Sequence, residues 1–248
     1  MNSAVYPSLD GKKVFVTGGA SGIGAALVEA FAGQGSQVVF VDVDAEAGAG
    51  LAARVAGAAF VPCDLRDISA LETVVKRAET TLEGLDVLLN NAASDDRHEL
   101  DAITPDYWDE RIATNLRHLF SAAQAAAPAM RAAGGGAIGN FGSISWHLGL
   151  ADLVVYQTAK AGVEGLTRSL ARELGRDNIR VTTIVPGNVQ TPRQAKWYTP
   201  EGEDEIVAAQ CLNDRIEPAD VAALALFLAS DDTRMCTGHK YFIDAGWR

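Results

Sequence analysis

The sequence predicts an α/β fold in which a doubly wound parallel sheet carries helices on both faces. Short apolar runs rich in β-branched residues alternate with helical patterns along the whole chain, and the first run ends in a glycine-rich turn that opens a helix. The chain has 248 residues, of which 48% are hydrophobic, and this is enough to bury one full core. We therefore expect a single domain over residues 1–248, with no internal repeat.

Charge and hydropathy argue against several classes of partner. The net charge of −11 disfavours nucleic acid, because binding to a phosphate backbone needs a basic surface. The N-terminus lacks the apolar segment of a signal peptide, and no apolar run approaches the roughly 18 residues of a membrane span. We therefore expect a cytoplasmic protein that binds no membrane.

The cysteines and histidines predict neither disulfides nor a metal site. Cys63, Cys211 and Cys236 are odd in number and far apart in the chain, so we expect reduced thiols. The four histidines are scattered without the spacing that metal ligands show, and we therefore expect no bound metal.

The glycine-rich turn has the spacing Gly-x-x-x-Gly-x-Gly and links a strand pattern at residues 13–16 to a helical pattern at 25–32. Gly18 permits a tight turn, Gly22 lets a pyrophosphate approach the backbone, and Gly24 lets the helix pack on the strand. The free N–H groups at the start of the helix, around Ser21 and Ile23, would then face the phosphates of a dinucleotide. This predicts a Rossmann-type cofactor site; a plain turn between strand and helix is the alternative.

The second strand pattern, residues 37–41, ends at an acidic residue, Asp42. A carboxylate there can accept hydrogen bonds from the adenosine ribose and would repel a 2′-phosphate. The residues just before Gly22 are Ala20 and Ser21, so no basic side chain is available there to hold such a phosphate. Both observations predict NAD rather than NADP, and a solvated acidic turn is the alternative.

Three residues of one segment carry the predicted chemistry. Ser143 follows a strand pattern at residues 137–141, and a helical pattern that begins near residue 152 places Tyr156 and Lys160 on one face, four residues apart. A phenol has an ordinary pKa of about 10, and an ammonium held beside it favours the phenolate. We therefore predict Tyr156 as general base, Lys160 as its modulator and Ser143 as a hydrogen-bond partner of the same substrate oxygen. The Tyr-x-x-x-Lys spacing alone is weak, because chance produces it, and the glycine turn strengthens it.

Taken together, the glycine turn, the Asn90-Asn91-Ala92 sequence and the Ser143, Tyr156 and Lys160 set resemble the short-chain dehydrogenase/reductase family over essentially the whole chain. The resemblance implies that Asn115 is a fourth catalytic residue, whose main-chain carbonyl holds a water in the proton path from Lys160. It also implies that Tyr156 and Lys160 contact the cofactor. Further cofactor contacts are implied at Asp64, Leu65, Asn90, Pro186, Gly187, Val189 and Thr191.

Two local features depart from that pattern or stay open. Ala93 stands where the family has a glycine, so either the turn is reshaped or Ala93 lies at negative φ. The polar loop at residues 95–98 either faces solvent or rims a polar pocket. The pattern that follows predicts one long helix from residue 106 to about 133, bent at Pro128.

A closer resemblance is to bacterial NAD-dependent sugar 1-dehydrogenases that act on D-xylose, and it rests on residues 141–150, 186–191 and 196–203. It implies oxidation of an aldopyranose at C1 to the aldonolactone. Related enzymes for L-arabinose, L-fucose, L-rhamnose or D-galactose share these features. A ketone or 3-oxoacyl reductase is a further candidate, and so is a dinucleotide-sensing protein without catalysis.

The substrate side is predicted to be polar. Besides Ser143 and Tyr156, we expect substrate contacts from Ser145, His147 and Asn188, and from Trp197 in a lid at about residues 190–215. For His147 a role in packing its loop is the alternative, and for Trp197 a place in the core of the lid. Alanine-rich helical stretches suit close helix packing between subunits, which predicts a homo-oligomer, either a dimer or a tetramer.

Overall fold

The computed structural model describes residues 4–194 and 199–247, and its centre is a seven-stranded sheet. The strands are β1 Lys13–Thr17, β2 Gln37–Asp42, β3 Ala58–Pro62, β4 Val87–Asn90, β5 Gly136–Phe141, β6 Ile179–Pro186 and β7 Lys240–Ile243. All strand pairs are parallel, in the order β3-β2-β1-β4-β5-β6-β7. The order reverses between β1 and β4, which creates the crevice where open α/β sheets bind ligands.

Helices cover both faces of the sheet, as the sequence predicts. One apolar core lies under α3, α5 and α7, and a second lies under α1, α2 and α9. The helices are α1 Gly22–Gly33, α2 Ala45–Arg54, α3 Ile68–Leu82, α4 Pro105–Ile112, α5 His118–Ala132, α6 Ser145–Leu148, α7 Val154–Leu174, α8 Pro200–Ala209 and α9 Pro218–Ala229. The doubly wound fold class is therefore confirmed.

Strand β1 illustrates why the apolar runs are continuous rather than alternating. Val14 and Val16 belong to the core under α1 and α9, whereas Phe15 between them belongs to the core under α3 and α5. All three side chains are fully buried. A strand covered on both faces needs apolar residues at successive positions, and the sequence meets that need.

The long helix predicted over residues 106–133 is present as α4 and α5, and a π-helical turn at Ala113–Arg117 joins them without a break in the helical backbone. Thr104 caps α4 by accepting a hydrogen bond from the Tyr107 amide. Pro128 lies inside α5 without ending it, and the π turn is the irregularity in this helix that the sequence did not predict. In the described ranges, no helix is long and apolar enough to cross a membrane.

Candidate active site

A cavity of about 650 Å³ opens at the carboxyl edge of the sheet, where the strand order reverses between β1 and β4. Most of the predicted site residues line it. They are Gly18, Ser21, Gly22, Ile23, Gly24, Asp42, Asp64, Leu65, Ser143, Ser145, Tyr156, Lys160, Pro186, Gly187, Asn188, Val189 and Thr191. Segments from distant parts of the chain therefore meet in one place.

The glycine-rich turn forms a cradle that side chains would fill. Gly22 has a φ of +53°, a conformation that favours glycine, and it opens α1 at the wall of the cavity. A Cβ on Gly24 would collide with the Gly18 carbonyl oxygen, so the helix packs on the turn only because this residue is glycine. The start of a helix with close backbone access suits a pyrophosphate, and the turn therefore fits a dinucleotide.

Asp42 lies on the wall of the cavity. Its Oδ2 accepts from the Ala20 amide at 3.0 Å and its Oδ1 accepts from the Asp44 amide at 3.1 Å. These two bonds fix the carboxylate at the end of β2, on the cavity wall. The remaining acceptor positions of both oxygens are those that ribose hydroxyls would use.

Asp64 lies on the same wall and is held by a residue that sequence reasoning missed. Arg66 donates to Asp64 from Nε at 3.0 Å and from a terminal nitrogen at 2.6 Å, and it also reaches Glu110 at 3.0 Å. The hydrogen bond from Arg66 is the main reason why the pKa of Asp64 lies below its ordinary value. The carboxylates of Asp64 and Glu110 both pair with the guanidinium of Arg66, so their two negative charges outnumber its one positive charge. Arg66 also lines the cavity.

The prediction for Asn90 is wrong as regards its side chain. Asn90 is buried, does not line the cavity, and donates from Nδ2 to Oδ1 of Asn140 at 2.9 Å. Its neighbour Asn91 lines the cavity and donates to the carbonyls of Thr17 and Gly18, so it supports the glycine-rich turn. Asn90 is the last residue of β4 and Asn91 the first of the loop after it, so the two side chains have different surroundings.

Ala93 also lines the cavity, and its φ is not positive. The sequence left open whether the turn is reshaped or Ala93 lies at negative φ, and the structure has Ala93 at negative φ. Alanine adopts negative φ without strain, so the substitution for the family glycine costs nothing at this position.

Tyr156 and Lys160 stand together on α7, and Ser143 faces them from the loop after β5. Lys160 Nζ lies 5.6 Å from the centre of the Tyr156 ring and donates to the Phe141 carbonyl oxygen at 2.7 Å. The Ser143 hydroxyl is hydrogen-bonded to Tyr156 and lies 2.9 Å from the Ser145 hydroxyl. The three groups can therefore act on one oxygen atom.

Burial dominates the electrostatics of this group. It raises the pKa of Tyr156 well above its ordinary value; the charge of Asp95 raises it further, whereas the hydrogen bond from Ser143 and the charge of Arg193 lower it. Burial also lowers the pKa of Lys160 to about 8. The sequence predicts that Lys160 lowers the pKa of Tyr156; in the structure, desolvation of the phenolate outweighs the two groups that lower this pKa, Ser143 and Arg193.

Asn115 lies in the π turn, fully buried, and its side chain does not line the cavity. Its Oδ1 accepts from the Ser94 amide at 2.8 Å, and its Nδ2 donates to the Arg111 carbonyl at 3.0 Å. The side chain therefore ties the loop after β4 to the turn between α4 and α5. A main-chain role in a proton path stays a prediction.

Of the two roles that the sequence left open for His147, the structure shows loop packing and not contact with the cavity. The His147 ring does not line the cavity, and its Nε2 lies 2.8 Å from Oε1 of Glu164 on α7. The ring packs between Trp146 and Phe242, with ring centres 3.9 and 5.0 Å away. Within the four-residue helix α6, Ser145 faces the cavity and His147 faces α7, because residues two apart on a helix point in different directions.

Two predicted substrate contacts remain, Asn188 and Trp197. Asn188 lines the cavity, and its Oδ1 accepts from Arg215 at 3.0 Å. Trp197 lies outside the described residues.

Several cavity residues were missed by the sequence analysis. Asp95 and Arg97 line the cavity, so the polar loop at residues 95–98 contributes to its rim. Arg193, Gln194 and Trp247 line it as well. Their signal in the sequence was weak, since these five residues come from three distant segments and no motif contains them.

A dinucleotide cradle beside a Ser, Tyr and Lys group defines an oxidoreductase with a nicotinamide cofactor, and the chain belongs to the short-chain dehydrogenase/reductase family. A family model described as enoyl-(acyl carrier protein) reductase matches residues 18–248. A solved structure described as a short-chain alcohol dehydrogenase from Sinorhizobium meliloti 1021 superposes with a TM-score of 0.92 at 33% identity, covering 97% of this chain and 98% of that one.

Curated relatives extend the likeness to sugar dehydrogenases. D-xylose 1-dehydrogenase of Caulobacter vibrioides is 60% identical over 252 residues, covering 100% of both chains. A Rhizobium meliloti protein named "Probable galactose dehydrogenase GalD" is 46% identical over 98% of both chains. Among residues 4–194 and 199–247, no group of three or more His, Cys, Asp or Glu side chains could hold a metal ion.

Proposed function

We propose that this enzyme oxidises an aldopyranose, D-xylose in the first place, at C1 with NAD and releases the aldonolactone. The observation that carries the proposal is the Ser143, Tyr156 and Lys160 group in one cavity, in a chain 60% identical over its full length to a D-xylose 1-dehydrogenase. Asn188 and Ser145 offer polar atoms on two sides of that group.

In this proposal a bound nicotinamide ring supplies the hydride acceptor and a positive charge inside the cavity. Tyr156, ionised under that influence, takes the proton of the anomeric hydroxyl as C1 loses its hydride, and the C1–O bond becomes the lactone carbonyl. Ser143 donates a hydrogen bond to the same oxygen and holds it beside Tyr156.

Lys160 is the natural next carrier of that proton. A pKa near 8 lets its amine take up and release a proton near neutral pH. Its Nζ hydrogen bond to the Phe141 carbonyl keeps the side chain extended along α7 towards β5. Asn115, through its main-chain carbonyl in the π turn, would then hold water on the way to solvent.

The choice of NAD over NADP rests on Asp42. Its carboxylate is fixed by two amides at the end of β2, where a 2′-phosphate would meet its negative charge. Arg66 is the basic group at this end of the cavity, and its guanidinium is already shared by Asp64 and Glu110.

A second candidate is a reductase that acts on ketones or 3-oxoacyl groups. The observation in its favour is an apolar part of the cavity wall formed by Leu148, Leu150 and Leu153. Another sugar, D-galactose above all, is a third candidate because of the galactose dehydrogenase relative.

The test is the reduction of NAD and of NADP, followed by absorbance, with a panel of pentoses, hexoses, secondary alcohols and hydroxysteroids. We expect the highest kcat/KM with D-xylose and NAD. A hydrophobic alcohol or ketone that exceeds every aldose in kcat/KM would refute the sugar proposal and favour the reductase.

Three further expectations stay predictions. The cytoplasmic location and the dimeric or tetrameric assembly are two of them. The third is the lid at about residues 190–215, which we propose as the cover of the substrate; in support, Arg193 and Gln194 reach across to the loop after β4.

A further inference from the structure

Asp95 is a carboxylate on the cavity wall that the proposed chemistry does not yet use. It lies in the loop after β4, and its Oδ2 accepts from Gln194 Nε2 at 2.7 Å. Its Oδ1 lies 3.2 Å from a terminal nitrogen of Arg193. Two side chains from the segment after β6 therefore fix this carboxylate in position.

The charge of Asp95 acts on the catalytic pair directly. It raises the pKa of both Tyr156 and Lys160, which are buried on α7. Asp95, Tyr156 and Lys160 also line the same cavity. The Asp95 carboxylate is thus in the same chamber as the catalytic pair.

An ionised carboxylate is an acceptor with about four lone-pair positions on its two oxygens. Gln194 and Arg193 occupy one position on each oxygen, which leaves further positions towards the cavity. A sugar ring next to Tyr156 carries several hydroxyl donors that lose their water on binding. Each must find an acceptor, because an unpaired buried donor is costly.

We propose that Asp95 is a specificity-determining residue that accepts hydrogen bonds from ring hydroxyls of the sugar while Tyr156 acts on the anomeric hydroxyl. The inference rests on the proposed oxidation of a sugar. It extends that proposal by naming the residue that distinguishes a polyhydroxylated ring from a simple alcohol.

The neighbouring carboxylate, Asp96, provides a matched control. Asp96 accepts from Arg193 at 2.7 Å, from Arg111 at 2.7 Å and from the Ser94 hydroxyl at 2.6 Å, and it does not line the cavity. Asp96 therefore anchors the loop, whereas Asp95 faces the chamber. The two positions carry the same charge and share Arg193, but only Asp95 can touch a substrate.

The experiment compares Asp95→Asn and Asp96→Asn with the parent enzyme. The readouts are kcat/KM for D-xylose and for its 2-, 3- and 4-deoxy analogues, together with the dissociation constant for NADH. We expect Asp95→Asn to lower kcat/KM for D-xylose by about 10- to 100-fold, the usual loss for a hydrogen bond to a charged acceptor. For the analogue that lacks the bound hydroxyl we expect a loss of less than about threefold.

The ratio between D-xylose and the deoxy analogues separates substrate contact from other roles. Charges facing Tyr156 come from Lys160 on its own helix, from Asp95 and from Arg193, next to the Ser143 hydroxyl. Removing the Asp95 charge lowers the pKa of Tyr156, so the pH profile moves to lower pH with every substrate. This shift of the pH profile does not depend on contact between Asp95 and the sugar. A change in the ratio of kcat/KM between D-xylose and a deoxy analogue does require such contact.

The inference is overturned if Asp95→Asn loses kcat/KM equally with D-xylose and with every deoxy analogue. It is also overturned if Asp96→Asn changes the ratio of kcat/KM between D-xylose and the deoxy analogues as much as Asp95→Asn does. If Asp95→Asn fails to bind NADH, Asp95→Ser takes its place in the same comparison. The parent enzyme is then also assayed with D-xylose and each deoxy analogue. A parent that tolerates every single deoxygenation within threefold also overturns it. A parent that oxidises no aldose at all refutes the proposed function, which is a different result.

Discussion

Replacing Glu164 by alanine tests how the loop that carries Ser143 and Ser145 is held. Glu164, on α7, accepts with Oε1 from Trp146 Nε1 at 2.9 Å and pairs through the same atom with His147 Nε2 at 2.8 Å. Its Oε2 accepts from Lys240 at 2.7 Å. One half-buried carboxylate therefore joins α6, α7 and β7.

The magnitude follows from the burial of each partner. The carboxylate and the His147 side chain are 14% and 16% exposed, so the bonds to Trp146 and His147 each contribute about 1 to 1.5 kcal/mol. The Lys240 side chain is 42% exposed, which limits its ion pair to less than about 1 kcal/mol. Glu164→Ala should thus destabilise the protein by about 2 to 4 kcal/mol, which lowers Tm by roughly 5 to 15 °C for a domain of this size.

Thermal denaturation by calorimetry or circular dichroism measures this loss, and Glu173→Ala is the matched control because Glu173 is an exposed glutamate on the same helix. We expect Glu173→Ala to lie within about 0.5 kcal/mol of the parent. We also expect His147→Ala to lower Tm rather than to raise KM for the sugar selectively. The reasoning is refuted if Glu164→Ala is as stable as Glu173→Ala, or if His147→Ala keeps its stability and loses only sugar affinity.

Three further predictions concern the reaction. Tyr156→Phe should bind NADH like the parent and lose roughly two to four decades of kcat, and a variant that keeps more than about a tenth of its turnover would exclude Tyr156 as general base. The pKa of Tyr156 is raised by burial and by Asp95, and oxidation needs the phenolate, so kcat should rise with pH; a rate independent of pH from mildly acidic to alkaline buffer contradicts this. Asp42→Ala should weaken NAD binding by about 1.5 to 3 kcal/mol and narrow the gap between NAD and NADP; unchanged discrimination, measured by titration with both cofactors, removes Asp42 as the ribose ligand.

Features set by neighbours in the chain were predictable. The spacing of Gly18, Gly22 and Gly24 specifies a turn that only glycine tolerates, and the four-residue separation of Tyr156 and Lys160 places both on one side of α7. Continuous apolar runs such as β1 identify strands that are buried on both faces. The fold class and the core of the candidate site follow from these local rules.

Side-chain direction in short or irregular elements was not predictable. His147 and Ser145 are two residues apart in α6, and only the packing of that helix on α7 decides that Ser145 enters the cavity while His147 meets Glu164. The contact between the Asn115 side chain and the Ser94 amide in the loop after β4 was likewise not predictable. No local pattern marks that contact, because its partner lies in a different segment.

The doubly wound sheet, the glycine cradle and the Ser143, Tyr156 and Lys160 set follow from the amino-acid sequence alone, since each depends on residues that are close in the chain. The polar groups that surround the substrate space are known only from the folded molecule. Asp95 and Gln194 are 99 residues apart and share a hydrogen bond of 2.7 Å. Such pairs form where the ends of parallel strands converge, and their positions depend on the packing of the whole sheet and its helices.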